Sequence, residues 1–446
     1  MRTGMATLLG VVMALTVTPA LTSLSAAAQE EPEEQEIIVK FRDGASRGDA
    51  LTQSRTRAVA DATDGAEVLA SRDATESIRV LMARGDVEYA EPNIVLEATA
   101  VPNDPLWPQQ WHYWEAVGGI RLSQAWDLGP SGSGQRVAVI DTGRTAHPDM
   151  SANYIGGYDF ISNAGYAKDG GGRDANPADQ GDWRLANQCG PGTAARASSW
   201  HGLHVAGTVA ALRNNLTGVT GVAPSARVVP VRVLGTCGGT LADIAAGIVW
   251  AAGGAVPGVP ANPNPAKVLN LSLGGPSAVC PATLQSAINT ARNVHRATVV
   301  VAAGNSAVNA AGATPANCAG VITTGATDRQ ANRASYANFG VTIEVCAPGG
   351  ETSPSAANGV LSTLNNGPTV PAASFYARYQ GTSMATPHVA GVVALMQHAR
   401  VQQGKLSLTP AQVLLHLKAK VLPAATQCGK GLLDAQASVA AAMAAA

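Results

Sequence analysis

The sequence predicts an α/β fold built on a mostly parallel central sheet, preceded by a small α+β domain, and three observations carry that reading. Near-continuous runs of Val, Ile and Leu between Arg136 and Ala347 alternate with stretches of helical texture, as strands covered on both faces require. The 446 residues are 46% hydrophobic and 14% charged, so the chain is globular and can bury a large core. Its 48 glycines suit helices packed closely on a sheet and loops of unusual backbone angle. A formal net charge of -1 excludes nucleic acid and acidic membranes as partners, because neither is held without a basic excess.

Taken in order, residues 1–28 have Arg2 near the start, an apolar run from Met5 to Leu24, and Ala26-Ala27-Ala28, which together predict a signal peptide removed on export. Thr16, Thr18, Pro19, Thr22 and Ser23 interrupt the run and argue against a retained anchor, and no later segment is apolar enough to span a bilayer. A secreted, extracellular protein is expected. All six cysteines (Cys189, Cys237, Cys280, Cys318, Cys346, Cys428) lie beyond the signal, an even number that predicts disulfides, and none stands in the spacing of a zinc cluster. Residues 29–100 open with an acidic ramp, followed by a strand at 37–41, a strand-like run at 78–81 and a further apolar run at 87–93. They make a small unit, marginal without a partner. The Pro- and Trp-rich texture from Val101 marks the boundary to a domain at 101–446.

In that domain 136–141, 227–234, 267–273, 298–303, 321–326 and 343–347 read as strands, and 201–212, 241–252 and 281–297 as helices. Ligands of such sheets gather at the carboxyl ends of the strands, where Asp141, the turn after Leu273 and Gly304-Asn305 fall. The stretch from Gly381 to Leu395 reads as a helix with Ser383 at its mouth, and Pro387 falls in an early turn that needs no N–H from it. That end carries partial positive charge and free amide donors, so a negative oxygen formed beside Ser383 would be stabilised. The plainer role for Ser383 is a helix cap.

Asp141 closes a buried strand, where a carboxylate must be met by donors, and an imidazole is a good one. His201 opens the helical segment His-Gly-Leu-His-Val-Ala-Gly-Thr. With Ser383 these supply a hydroxyl that attacks, an imidazole that takes and returns its proton, and a carboxylate that fixes the imidazole tautomer. Asn305 adds a side-chain amide that can donate to an oxyanion beside the backbone N–H of Ser383. Competing motifs are incomplete. Asp141-Thr142-Gly143 has no second copy, as an aspartic protease needs; His201 and His204 lack the glutamate of a zinc-binding helix; Ala385 stands where an esterase elbow has glycine. His204 and His388 read as structural, hydrogen-bonded histidines.

Three blocks, Val-Ile-Asp-Thr-Gly at 139–143, His-Gly-x-His-Val-Ala-Gly-Thr at 201–208 and Gly-Thr-Ser-Met-Ala-Thr-Pro-His-Val-Ala-Gly at 381–391, resemble the subtilisin-like serine proteases (peptidase S8 family) in their order Asp, His, Ser. The likeness extends from about residue 102 to 440. The region before it, ending in Val-Glu-Tyr-Ala-Glu-Pro-Asn, resembles the inhibitory propeptide of secreted bacterial members. The resemblance implies a subtilisin-like three-layer sandwich and a serine endopeptidase that uses Asp141, His201 and Ser383, forms an acyl-enzyme, and binds the oxyanion with Asn305. It implies a monomer matured by cleavage near Ala100, with protein or peptide substrates and its own propeptide as partners. A catalytically silent binding protein on the same scaffold and an esterase are the alternatives.

The resemblance also assigns Leu271-Ser272-Leu273-Gly274-Gly275 to an edge that pairs the substrate as an added strand, and Ala302, Ala303 and Gly304 to a wall of the main pocket. Small residues there leave room for a bulky apolar or aromatic side chain. It implies calcium as a structural cofactor in one or two sites. Asp149 and Asn215 are oxygen ligands of the first, with one extra residue before Asn214 leaving the register open. The carboxylate-rich loop of Asp169, Asp174, Asp179 and Asp182 is a candidate second site, or else a solvated surface loop. Disulfide-bearing members imply the pairs Cys189–Cys237 and Cys280–Cys318, which leaves Cys346 for Cys428.

Overall fold

The computed structural model describes residues 34–93, 101–424 and 427–445, so the signal region and the cleavage point near Ala100 lie outside the described residues. The chain divides into two compact units between Ala98 and Thr99. In the first, strands β1 (Gln35–Phe41), β2 (Thr56–Asp61), β3 (Ala66–Ser71) and β4 (Val87–Pro92) form an antiparallel sheet in the order β2-β3-β1-β4. Helices α1 (Arg47–Ser54) and α2 (Ala74–Met82) complete a core of Ile37, Val39, Leu69, Leu81 and Val87. The run at 78–81, read above as strand-like, lies inside α2. The Asp73 carboxylate accepts the Glu76 N–H at 3.0 Å and starts the helix, a local bond that decides the element over its short apolar run.

In the second unit the strands are β5 (Arg136–Asp141), β6 (Tyr158–Asp159), β7 (Arg227–Arg232), β8 (Val268–Leu271), β9 (Gly275–Pro276), β10 (Thr298–Ala302), β11 (Ala313–Thr314), β12 (Ile322–Thr327), β13 (Val345–Pro348), β14 (Val360–Asn365), β15 (Ser374–Tyr379), β16 (Val421–Leu422) and β17 (Leu432–Leu433). Nine of them form one sheet in the order β16-β17-β13-β12-β10-β8-β5-β7-β6, parallel throughout except where β16 meets β17. Helices α3 (Trp111–Trp114), α4 (Leu122–Asp127) and α5 (Ala164–Ala167) are short; α6 (His201–Ala210), α7 (Leu241–Ala252), α8 (Ala282–Asn289), α9 (Thr382–Gln402), α10 (Pro410–Ala419) and α11 (Ala435–Ala444) follow. The expected helix at 281–297 ends early, and Thr290–Val294 continues it as a wider π-turn.

Alternation along each strand makes the three layers. On β5, Val137 and Val139 join the core shared with α6, α9 and α11, whereas Ala138 and Ile140 join the core beneath α7 and α8. Helix α9 is the spine of the first core, with every residue from Met384 to Arg400 buried. A helix apolar all round is a helix enclosed on every side. All three disulfides form as the resemblance implied: Cys189–Cys237, Cys280–Cys318 and Cys346–Cys428, with Cα–Cα distances of 5.5, 5.0 and 5.2 Å.

Candidate active site

Strand β5 delivers Asp141 to the carboxyl edge of the sheet as a fully buried carboxylate. Its Oδ1 accepts the Thr142 N–H at 2.8 Å, and its two oxygens lie 2.8 and 3.0 Å from Nδ1 of His201. His201 is the first residue of α6, and the start of that helix is pinned by the Gly202 N–H donating to Thr142 Oγ1 at 3.0 Å. A Cβ on Gly202 would meet the Gly143 carbonyl at 2.5 Å, so glycine after the histidine is what lets the two loops touch. Trp200 just before it holds a left-handed conformation (φ 48°) and anchors it by an Nε1–H bond to the Gly367 carbonyl at 2.7 Å. Burial alone would push the His201 pKa down. The Asp141 carboxylate overrides that and holds it above the usual value.

Ser383 is the second residue of α9, and α9 packs on α6. It is not the cap of its helix. Asn305, in the loop after β10, caps α9 from outside: its Oδ1 accepts both the Thr382 N–H and the Thr382 hydroxyl at 2.8 Å. The Thr382 hydroxyl in turn accepts the Gly304 N–H at 3.1 Å. With Oδ1 so engaged the amide orientation is fixed, and the Nδ2 donor of the exposed Asn305 is left for a ligand. The N–H of Ser383 has no acceptor within its helix. The Ser383 hydroxyl donates to the Ser272 carbonyl at 3.1 Å, and no hydrogen bond joins it to His201 among the described residues. Pro387 lies deeper than the expected early turn, as the sixth helical residue, and the carbonyl it leaves without a backbone partner is that of Ser383. Ser272 Oγ donates to that carbonyl at 2.8 Å.

The expected substrate residues divide. Leu273 is half-buried and Gly274 exposed, but Ser272 is 3% exposed with its hydroxyl turned to Ser383. The segment projects past the end of β8, which itself lies between β5 and β10, and its last residue, Gly275, pairs with Thr314 of β11 in a separate two-stranded sheet. The Ala303 methyl packs inward on Ile343 and Cys346, so among the expected wall residues its side chain is core. Gly304 has φ +102°, and a Cβ there would meet Asn338 Nδ2 at 2.4 Å.

His204 and His388 are structural, as expected. His204 Nε2 bonds the Ala377 carbonyl at 3.1 Å, its ring stacks on Tyr379, and burial lowers its pKa to about 3. His388 Nδ1 bonds the Met384 carbonyl at 2.8 Å, and its Nε2 lies 2.8 Å from Nδ1 of His112, a partner with no sequence signal. Burial lowers the His388 pKa to about 4.

The two candidate metal sites also part ways. Asp149 (0% exposed) and Asp104 (2% exposed), which the sequence reading missed, converge on Asn215. Asn215 Nδ2 donates to Asp149 at 2.7 Å, and its backbone N–H donates to Asp104 at 3.3 Å. Val219 N–H and Tyr376 OH complete Asp149 at 2.9 and 3.0 Å. Neither carboxylate has an ion-pair partner among the described residues. Burial, with the neighbouring Asp104 charge adding to it, raises the Asp149 pKa. Two buried carboxylates without an ion pair are ligands that a hard divalent cation takes, while Asn215 Oδ1 accepts the Thr217 N–H at 3.0 Å and its nitrogen faces Asp149. The carboxylates of the second loop do not converge on one point. Each meets a separate partner: Asp169 pairs with Arg232 and Asp182 with Arg196, Asp174 accepts the Asn176 N–H at 2.7 Å, and one oxygen of Asp179 accepts the Gly181 N–H at 2.8 Å. No cluster of three metal-ligating His, Cys, Asp or Glu side chains occurs among the described residues. Asp179 is buried with Oδ2 unpartnered, and burial raises its pKa to about 7.

A profile described as the fervidolysin N-terminal prodomain matches residues 20–93, and the subtilase family profile matches residues 132–438. An "extracellular protease" of Xanthomonas campestris pv. campestris is 52% identical over 375 residues, 83% of this chain and 62% of that protein. This chain therefore spans less than two thirds of that relative's length. An "extracellular basic protease" of Dichelobacter nodosus is 39% identical over 443 residues, covering 93% of this chain and 72% of its own. Among solved structures, a protease of Pseudoalteromonas arctica superposes with a TM-score of 0.74 at 51% identity, covering 77% of this chain and 100% of that one. The architecture, the block order and these matches agree: the chain belongs to the subtilase family, with an N-terminal prodomain.

Proposed function

We propose that the chain is a secreted serine endopeptidase made as a precursor, whose domain at 29–100 inhibits it until cleavage near Ala100. The observation that carries this is the buried Asp141 carboxylate bonded to His201 Nδ1, set beside a helix mouth that offers Ser383. His201 keeps its Nδ1 proton on Asp141, so Nε2 is the acceptor that faces the reaction. Ser383 rotates away from the Ser272 carbonyl and attacks the scissile carbonyl carbon while Nε2 takes its proton. The oxyanion receives the Asn305 Nδ2–H and the Ser383 N–H. The C–N bond then breaks as His201 returns the proton to the leaving amine, which leaves the acyl group on Ser383. Water, deprotonated by the same nitrogen, hydrolyses that ester and restores the serine.

The peptide before the scissile bond lies along Leu273 and Gly274, with a bulky apolar residue directed to the pocket beside Ala302 and Gly304. A calcium ion held by Asp104, Asp149 and Asn215 would neutralise their buried charge and brace the loop; the enzyme works as a monomer. The test is mass-spectrometric mapping of cuts in a denatured protein, with Ser383→Ala as control. We expect cuts after large apolar residues, uptake of a fluorophosphonate on Ser383 in the unsubstituted protein, and neither in the variant. Hydrolysis of a long-chain ester without any peptide cleavage would overturn the reading.

A further inference from the structure

We propose that Ser272 is a positioning residue for Ser383, its hydroxyl standing in for the amide hydrogen that Pro387 lacks; this rests on Ser383 being the nucleophile. In a regular helix the Ser383 carbonyl would accept from the N–H of residue 387, which proline does not have. Ser272 Oγ fills that place at 2.8 Å. Asn270 Nδ2 donates to the same Oγ at 2.9 Å, and with that lone pair taken the hydroxyl hydrogen is directed to Ser383. The return bond runs from Ser383 Oγ to the Ser272 carbonyl at 3.1 Å. The two serines thus hold each other reciprocally.

The Ser272 hydroxyl is enclosed, so it is no substrate contact. Its effect falls on the backbone of Ser383, which sets both the direction of the Cα–Cβ bond and the aim of the N–H proposed for the oxyanion. When the Ser383 hydroxyl swings toward His201 the return bond breaks, while the bond from Ser272 Oγ persists and keeps that backbone still. Ser272 also begins the segment Leu273–Gly274, so peptide and nucleophile are placed from one residue.

A double-mutant cycle tests this. Ser272→Ala, Pro387→Ala and the double variant are assayed on a peptide p-nitroanilide, with kcat and KM separated and active sites titrated by fluorophosphonate. Ser272→Ala is expected to lower kcat about five- to tenfold, with KM changed less than about twofold, the effect of one lost hydrogen bond felt after substrate is bound. Pro387→Ala restores a backbone donor, so in that background the Ser272→Ala loss should shrink to about twofold or less. Equal losses in both backgrounds, or a change confined to KM, would overturn the proposal. If Pro387→Ala does not fold, Ser272→Cys decides, because its thiol is a weaker donor of similar size. A kcat between those of Ser and Ala supports the role, and one no higher than that of Ala refutes it. An unsubstituted chain that neither takes up fluorophosphonate nor cleaves the anilide would instead sink the nucleophile reading itself.

Discussion

His201 and His204 sit three residues apart on α6, and although burial lowers the pKa of both rings, His201 is held above the usual imidazole value while His204 is brought to about 3. The difference lies in what each nitrogen meets. His201 faces a carboxylate at 2.8 Å, a full negative charge that stabilises the imidazolium; His204 faces a carbonyl at 3.1 Å, only a dipole. One helical turn therefore carries two buried imidazoles whose pKa values are shifted in opposite directions. The same contrast separates the buried acids. Asp141 is answered by an imidazole, whereas Asp149 meets only neutral hydrogen-bond donors.

Substituting the two histidines gives the largest expected effect. His201→Ala should lower kcat by about 10³-fold or more, the contribution of positioned acid–base catalysis, with the fold kept. His204→Phe should leave kcat per titrated active site within about threefold and lower the midpoint of thermal unfolding. Loss of activity with His204→Phe in folded protein would break the comparison.

The pH dependence sharpens it. The base must be neutral, so kcat/KM for a peptide anilide should fall on acidification through a pKa above 6.5, and Asp141→Asn should move that limb to lower pH. Stability should run with opposite signs at the two residues. The raised pKa of His201 adds stability below the unfolded value of about 6.5, lost as pH rises through the folded one. The lowered pKa of His204 removes stability as pH falls from about 6.5 toward 3, because only the unfolded chain takes the proton. The stability of the Ser383→Ala protein against denaturant should thus fall as pH drops below about 6.5, and His204→Phe should flatten that slope.

Calcium gives the smallest shift. Chelation should lower the thermal midpoint of the Ser383→Ala protein by about 5 °C, and Asp104→Asn/Asp149→Asn should be insensitive to chelator. An equal response in both proteins would place the cation elsewhere.

Much of this was legible in the sequence, and the exceptions share a cause. Asp141, His201, Ser383 and Asn305 each stand in a contiguous block whose spacing is local, and β5 and α7 end where their sequences predict. In the loop of Asp169 to Asp182 carboxylate density is local whereas neutralisation is not: Arg232 and Arg196, which come from other segments, pair with Asp169 and Asp182 and carry no local signal. Asp104 is joined to the Asn215 loop only through folding. The Ser272 hydroxyl was invisible for the same reason, since the gap it fills belongs to a proline on another element.

The burial of α9 has a consequence in time. A helix enclosed on all sides cannot settle until the strands around it have paired, and Asp141, His201 and Ser383 come from widely separated parts of the chain. The core around α9 is complete only when β5, α6 and α9 have come together, so Asp141, His201 and Ser383 are neighbours only in the finished fold.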